Sequence, residues 1–191
     1  MSNHNFFLTE PEETGPQRRG ILLLFKKNLG LKVTKVEQLN YNLVKLVIEH
    51  TIVKLSIYGC YGHSDGDKYE YFLDVRKHTL EDENDEILII GDLNTTLCPE
   101  KDRWNYSTDN HKKCRTVINN WISEGDYLDT YRSFHPEGKA YTFRVRKAET
   151  KEIVRQARLD YALASRQLFS RITDVHHICP THAFSVELES Q

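Results

Sequence analysis

The chain contains no run of about 20 apolar residues, the length a bilayer crossing requires, and no secretory apolar segment near its start. Membrane and secreted classes are therefore not expected. Its four cysteines, Cys60, Cys98, Cys114 and Cys179, include no C-x-x-C pair, so they read as free thiols of a reducing compartment, nuclear or cytoplasmic. His111-x-x-Cys114 with Cys179-x-x-His182 is the one zinc-like spacing, but Cys114 takes an apolar position in a helical pattern. An excess of one charge is also lacking. With 26 basic and 28 acidic residues the formal net charge is -2, so any phosphate-binding surface must be a local patch. Repeats and linkers are absent too, and 191 residues of ordinary composition (39% hydrophobic, 28% charged) imply one domain.

What is present alternates between strand and helix patterns. Residues 1–17 are polar, rich in Pro and Glu and without periodicity, and are expected to form an irregular tail; the domain is expected over 18–191. Ile21 to Phe25, Lys32 to Val36, and the pair Leu43 to Ile48 and Ile52 to Tyr58 read as strands, the last two as a hairpin. Tyr69, Phe72, Leu73, Arg76 and Leu80 have helical spacing. The acidic stretch Glu81 to Glu86 is a loop, and Ile87-Leu88-Ile89-Ile90 suits a central strand covered on both faces. The spacing of Cys114, Val117, Ile118, Trp121 and Ile122 predicts a helix over His111–Glu124, capped by Asp109 or Asn110 and ended by Gly125. Ala140 to Val145, Arg158 to Ala164 and Phe184 to Leu188 are further strands, with Ser165 capping a short helix before the last.

Five features carry possible chemistry. Asp92 and Asn94 follow the buried strand directly, with Gly91 allowing a tight turn; an Asx turn explains the same residues without function. Asp160 shares a strand face with Arg158, Ala162 and Ala164, so a salt bridge to Arg158 or Arg155 is the plain reading and a site carboxylate the functional one. His182, before the last strand, suits acid–base work or phosphate contact. Tyr58 offers a hydroxyl at the end of its strand, or is simply a strand aromatic. The segment 139–158 holds Arg144, Arg146, Lys147 and Arg155 among seven basic residues against Glu149 and Glu152, a local match to a nucleic-acid contact or a solvated hairpin.

The order of these pieces resembles the endonuclease/exonuclease/phosphatase superfamily: a strand bearing Tyr58, then Ile89-Ile90-Gly91-Asp92-Leu93-Asn94, then Arg158-Leu159-Asp160-Tyr161, then a terminal His182. Arg18 to Phe25, Leu128 to Pro136 and Tyr141-Thr142-Phe143 look most like non-LTR (LINE-type) retrotransposon endonucleases, and the resemblance runs from about Arg18 to Leu188. It implies an α/β (α+β) four-layer sandwich of two mostly antiparallel sheets flanked by helices. It also implies DNA hydrolysis with Mg²⁺ or Mn²⁺, and a reverse transcriptase region in the same element as a partner. Carried over, Asp92 orients or activates the attacking water and is the metal-binding carboxylate. Asn94 holds the water or a phosphate oxygen, Tyr58 binds phosphate, and His182 contacts the scissile phosphate while Asp160 fixes its ring. The basic segment stands where these endonucleases present a hairpin to DNA.

The sequence departs from the pattern twice. Nothing in residues 1–17 matches the family's opening Asn strand or the Gln-Glu motif that supplies its main metal ligand, so the domain is expected to lack its first strand and helix region. Pro180-Thr181-His182 stands where the family has Ser-Asp-His, and Thr181 replaces a carboxylate. Two readings follow: a metal-dependent DNA endonuclease, or a fold-retaining remnant that binds nucleic acid without cutting it. A lipid or nucleotide phosphatase of the same superfamily is disfavoured by the Tyr131 to Phe143 segment.

Overall fold

The computed structural model of the chain describes residues 4–8, 21–26, 31–50, 53–63, 68–109, 111–178 and 183–188. Its first four strands are β1 (His4–Leu8), β2 (Leu22–Lys26), β3 (Lys32–Asn40) and β4 (Leu43–His50). Strand β5 (Val53–Tyr61) leads through helix α1 (Tyr69–Leu80) to β6 (Glu86–Asp92). Then follow α2 (Pro99–Asp102), β7 (Arg103–Trp104), α3 (Lys112–Glu124), β8 (Tyr127–Asp129) and α4 (Thr130–Phe134). The chain continues through β9 (Phe143–Arg146), β10 (Ile153–Ala157), β11 (Asp160–Ser165), α5 (Arg166–Phe169), β12 (Ile172–Ile178) and β13 (Ala183–Leu188).

A six-stranded sheet of order β3-β4-β5-β6-β11-β8 forms the centre. Only β5 and β6 pair in parallel, as their connection through α1 requires; the other pairs are antiparallel. Because side chains alternate along a strand, the sheet has two apolar faces. Tyr58 and Cys60, Ile87 and Ile89, and Tyr161 and Leu163 face a core closed by Phe72 and Val75 of α1 and by Ile118 and Trp121 of α3. Ile57, Leu88, Ile90 and Ala164 face a second core closed by Ile21 and Leu23 at β2 and Ile172 and Val175 of β12. The second layer consists of two ladders, β1-β2 and β12-β13. The two-layered α+β architecture flanked by helices is the expected one. No helix among the described residues is long and apolar enough to cross a membrane.

Three local expectations change. First, His4–Leu8 lies inside the expected tail yet pairs antiparallel with β2, Phe7 opposite Leu23; the signal HNFFL was too short to register as periodic. Second, Asp109 does not cap α3: His111 is its N-cap residue, Asp109 takes the guanidinium groups of Arg103 and Arg115, and Asn110 lies outside the described residues. Gly125 does end the helix, its N–H donating to the Trp121 carbonyl at 3.0 Å. Third, Arg158 precedes β11 and turns inward instead of sharing the outer alternation with Asp160.

Arg158 is 1% exposed and sits between two carboxylates. Its Nε and Nη2 donate to Asp102 at 3.0 and 3.1 Å, and its Nη1 and Nη2 donate to Asp129 at 2.9 and 2.5 Å. Arg132 donates to Asp102 at 2.6 Å, and the Tyr161 ring lies 4.4 Å from the Arg158 guanidinium. Burial works against the cation, but the hydrogen bond and charge of Asp129 and the hydrogen bond of Asp102 hold its pKa above the usual arginine value. Two arginines and two aspartates make the cluster neutral, so no charge is buried without a partner. It ties α2, β8, α4 and the start of β11 together. Substituting Arg158→Leu is expected to cost about 3–5 kcal/mol of stability, because Arg132 alone then faces both Asp102 and Asp129 and one buried negative charge is in excess. Arg166→Leu, at an exposed pair with Asp126, is expected to leave stability nearly unchanged. Urea unfolding of the two variants checks the contrast; similar losses would contradict the structural role assigned to Arg158.

Candidate active site

The carboxyl end of β6 carries the site. In the parallel pairing Tyr61 of β5 stands opposite Asp92, and in the antiparallel pairing Asp160 of β11 stands opposite Asp92. Tyr61, Asp92 and Asp160 thus form one rung across three adjacent strands, on the face that carries Ile90 and Ala164. Gly91, before Asp92, has φ of 149° and would place a Cβ 1.8 Å from the Cys60 carbonyl oxygen, so only glycine fits. A Cβ at Gly62 would meet the Leu93 oxygen at 2.4 Å. Both glycines let β5 and β6 end in close contact, with Gly62 N–H donating to Asp92 O at 2.7 Å; on the other side Leu93 N–H donates to Leu159 O at 2.8 Å, just before β11.

The turn beyond Asp92 is fastened by its own side chains. Asn94 has φ of 47°; its N–H donates to Asp92 Oδ1 at 2.7 Å and its Nδ2 to Gly62 O at 2.7 Å. The Asx turn and the candidate site are therefore the same structure. Lys68, 1% exposed, donates from Nζ to Asn94 O at 2.6 Å. Sequence reasoning missed both Tyr61 and Lys68. Lys68 gives no signal, since a lysine before a helix reads as surface. The apolar pattern of Ile52 to Tyr58 stops short of Tyr61; β5 runs on because Gly59 makes room for Ile21, whose Cγ2 lies 2.9 Å from where a Cβ would be.

Tyr58 does not belong to this site, which corrects the expectation for it. Three residues before Tyr61, it faces the opposite core and is 1% exposed. Its hydroxyl donates to Asp82 Oδ2 at 2.7 Å beside the His78 carbonyl at 2.9 Å. Burial and then the Asp82 contact raise its pKa well above the ordinary tyrosine value. Asp92, Asn94 and Asp160 are brought together as expected. The expected ion pair of Asp160 with Arg158 is replaced by the inward cluster around Arg158. His182 and Thr181 lie outside the described residues.

The electrostatics single out Asp92. Its pKa is pushed up to about 7, first by burial and then by the charge of Asp160, against the Asn94 N–H and the Lys68 ammonium. The thiol of Cys60, just behind the pair, is pushed up to about 12 by burial and by both carboxylates, so it is inert. Two carboxylates at one rung, one holding its proton near neutrality, offer the hard oxygens that suit a divalent cation. The described residues contain no group of three or more His, Cys, Asp or Glu placed for a metal, so the fit rests on Asp92 and Asp160 alone.

The basic segment forms a small sheet of order β7-β10-β9. Thr142, at its base, accepts the N–H groups of Leu159 and Asp160 at 2.9 and 3.2 Å, so the sheet grows directly from the Asp160 strand. The four expected contact residues divide. Arg144 and Arg146 are exposed on one face. Lys147 pairs with Glu152 at 3.0 Å, and the guanidinium of Arg155 lies 5.9 Å from the Tyr106 ring centre.

No family model and no curated protein matches the sequence. Solved structures do. The AP endonuclease LMAP from Leishmania major superposes with a TM-score of 0.72 at 13% identity, covering 99% of this chain and 71% of that one. The endonuclease domain of TRAS1, a telomere-specific non-LTR retrotransposon, gives 0.70 at 14% identity, covering 100% and 83%. An AP endonuclease from Archaeoglobus fulgidus gives 0.69 at 16% identity, covering 93% and 73%.

The raised pKa of Asp92 has a signed consequence for stability. The folded value, about 7, lies above the unfolded value of about 3.9, so the folded state binds the proton more tightly. This contribution is full below about pH 4 and is lost as pH rises through 7. Asp92→Asn keeps an acceptor for the Asn94 N–H and removes the charge. It is expected to stabilise the protein by roughly 1–3 kcal/mol at pH 8 and by almost nothing at pH 4. Urea unfolding in EDTA at both pH values tests this, and a pH-independent difference would refute the coupling. With the rung, the turn and the superpositions together, the chain has the endonuclease/exonuclease/phosphatase fold.

Proposed function

We propose that this chain is a phosphodiester hydrolase of the endonuclease/exonuclease/phosphatase superfamily, acting on DNA in the manner of retrotransposon endonucleases. The observation that carries the reading is the Asp92–Asp160 rung at the strand ends, with the basic sheet rooted beside it at Thr142. In the ion-free chain the raised pKa of Asp92 suits it to take a proton from water at neutral pH, and a cation bound there would lower it. Lys68 and Asn94 hold the Asp92 turn so that the carboxylate need not reorganise. Asn94 commits one amide N–H to Gly62, which makes it first a fastener of the turn and second a donor to phosphate. Tyr61, which stands opposite Asp92, takes the phosphate-contact role in this proposal in place of Tyr58. His182 is the proposed contact to the scissile phosphate, with Asp160 orienting its ring.

Asp92 and Asp160 are the residues that would hold Mg²⁺ or Mn²⁺. Such an ion, when bound, supplies positive charge against the phosphate oxygens. Every other element of the proposal belongs to the chain itself. Arg144 and Arg146 attract the DNA backbone. A second reading, a DNA-binding remnant without catalysis, is favoured by one observation: Thr181 stands where the resemblance calls for a carboxylate.

Plasmid nicking decides between them. The expected result is nicking in Mg²⁺ that stops in EDTA and falls at least 100-fold in Asp92→Ala, while Tyr58→Phe changes the rate less than about 3-fold. Cleavage that persists in Asp92→Ala would assign the activity to another site. DNA binding without any cleavage would establish the remnant reading.

A further inference from the structure

The two faces of the β7-β10-β9 sheet differ in a way that phosphate attraction does not explain. Gln156 of β10 is registered with Trp104 of β7 on one side and with Arg144 of β9 on the other. Trp104, Gln156 and Arg144 therefore form one rung and share a face. Ala157, with Arg103 and Phe143 as its partners, faces the opposite way; Ala157 is 2% exposed, while Phe143 at the margin of that face is 43% exposed. On the Trp104 rung both end residues, Trp104 and Arg144, are exposed. Trp104 is 46% exposed, whereas Trp121, the other tryptophan, is fully buried and donates to Thr79 at 2.7 Å. Arg144 reaches Gln156 Oε1 at 3.2 Å, which holds its guanidinium over the centre of the rung, and Arg146 follows two residues on along the same face.

Position fixes the face relative to the chemistry. Arg144 lies two residues beyond Thr142, whose hydroxyl accepts the N–H of Asp160, and Gln156 lies four residues before Asp160 in the chain, so the rung stands close to the strand that carries Asp160. A large indole left in water beside guanidinium groups is the pattern that takes a base on its flat face and the flanking phosphates on its cations. Fully paired DNA presents phosphates but no open base faces.

We propose that the Trp104 face is a stacking platform for an unpaired nucleotide. Trp104 takes the base, Arg144 and Arg146 take the adjacent phosphates, and the substrate class is DNA with an unpaired stretch next to the scissile bond. The inference rests on the reading of the chain as acting on DNA. It adds that the enzyme prefers a locally opened strand.

The test uses the whole chain in EDTA, so that binding is read without cleavage. Because Trp121 is buried, quenching of intrinsic fluorescence by oligothymidylate reports on Trp104. Saturable quenching is expected, and it should vanish in Trp104→Ala. By anisotropy, Trp104→Ala should weaken binding to a duplex with a thymine bulge roughly 5- to 100-fold, and binding to the fully paired duplex less than about 2-fold. Trp104→Phe should retain most of the affinity, which separates stacking from misfolding, and Arg144→Ala should weaken both duplexes and flatten the salt dependence. Absence of quenching overturns the platform, as does an equal loss on paired and bulged DNA, which would make Trp104 a groove wedge. Quenching without Asp92-dependent nicking would leave the platform standing and remove the hydrolase reading; nicking without quenching would do the reverse.

Discussion

The arrangement depends on one buried guanidinium. Arg158 is the point where the small basic sheet, the segment through Asp102, the end of β8 and the beginning of β11 meet. A leucine there would pack, but it would not dictate the direction of four segments. The fork of Arg158 does so because each of its N–H groups has a fixed direction and each of its two partners must be satisfied. Tyr161 completes the geometry: its hydroxyl accepts the Leu97 N–H at 3.0 Å and lies 3.0 Å from the Arg158 carbonyl.

Two residues further on, the logic inverts. Around Arg158 the charges balance; around Asp160 and Asp92 two like charges meet, with Lys68 committed to a backbone carbonyl close by. A single short segment thus carries both a balanced ionic cluster and one half of a like-charged pair. Functional centres are drawn from the second kind, since two like charges have something to gain from a substrate, a proton or a cation. The first kind makes the second sustainable by supplying a rigid frame.

Much of this was legible in the sequence. Helices α1 and α3 announced themselves because a 3.6-residue apolar period matches the turn of a helix and not the alternation of a strand. The corner at Asp92 was legible because four consecutive apolar residues end there on a glycine. What remained hidden was long-range. That Arg158 turns inward depends on Asp102 and Asp129, which local alternation cannot see. Tyr58 and Tyr61 are both tyrosines of one strand, and which of them meets Asp92 is set by register with β6, not by anything in β5. Trp104 belongs to a two-residue strand, too short to carry a pattern, and its neighbours Gln156 and Arg144 are some fifty and forty residues away.

The pairing of β6 with β11 also has a consequence in time. Asp92 and Asp160 face each other across an antiparallel ladder whose partners are nearly seventy residues apart in the chain. Between them lie α3, β8 and the basic hairpin, so the loop that must close is long and its closure is entropically costly. A chain emerging from the ribosome can build the β3-β4-β5 meander and dock β6 in parallel through α1 well before Asp160 exists. During that interval β6 is an edge strand ending in an isolated carboxylate. Repulsion between the two aspartates therefore enters only when β11 joins β6, the strand addition that also brings Arg158 to Asp102 and Asp129.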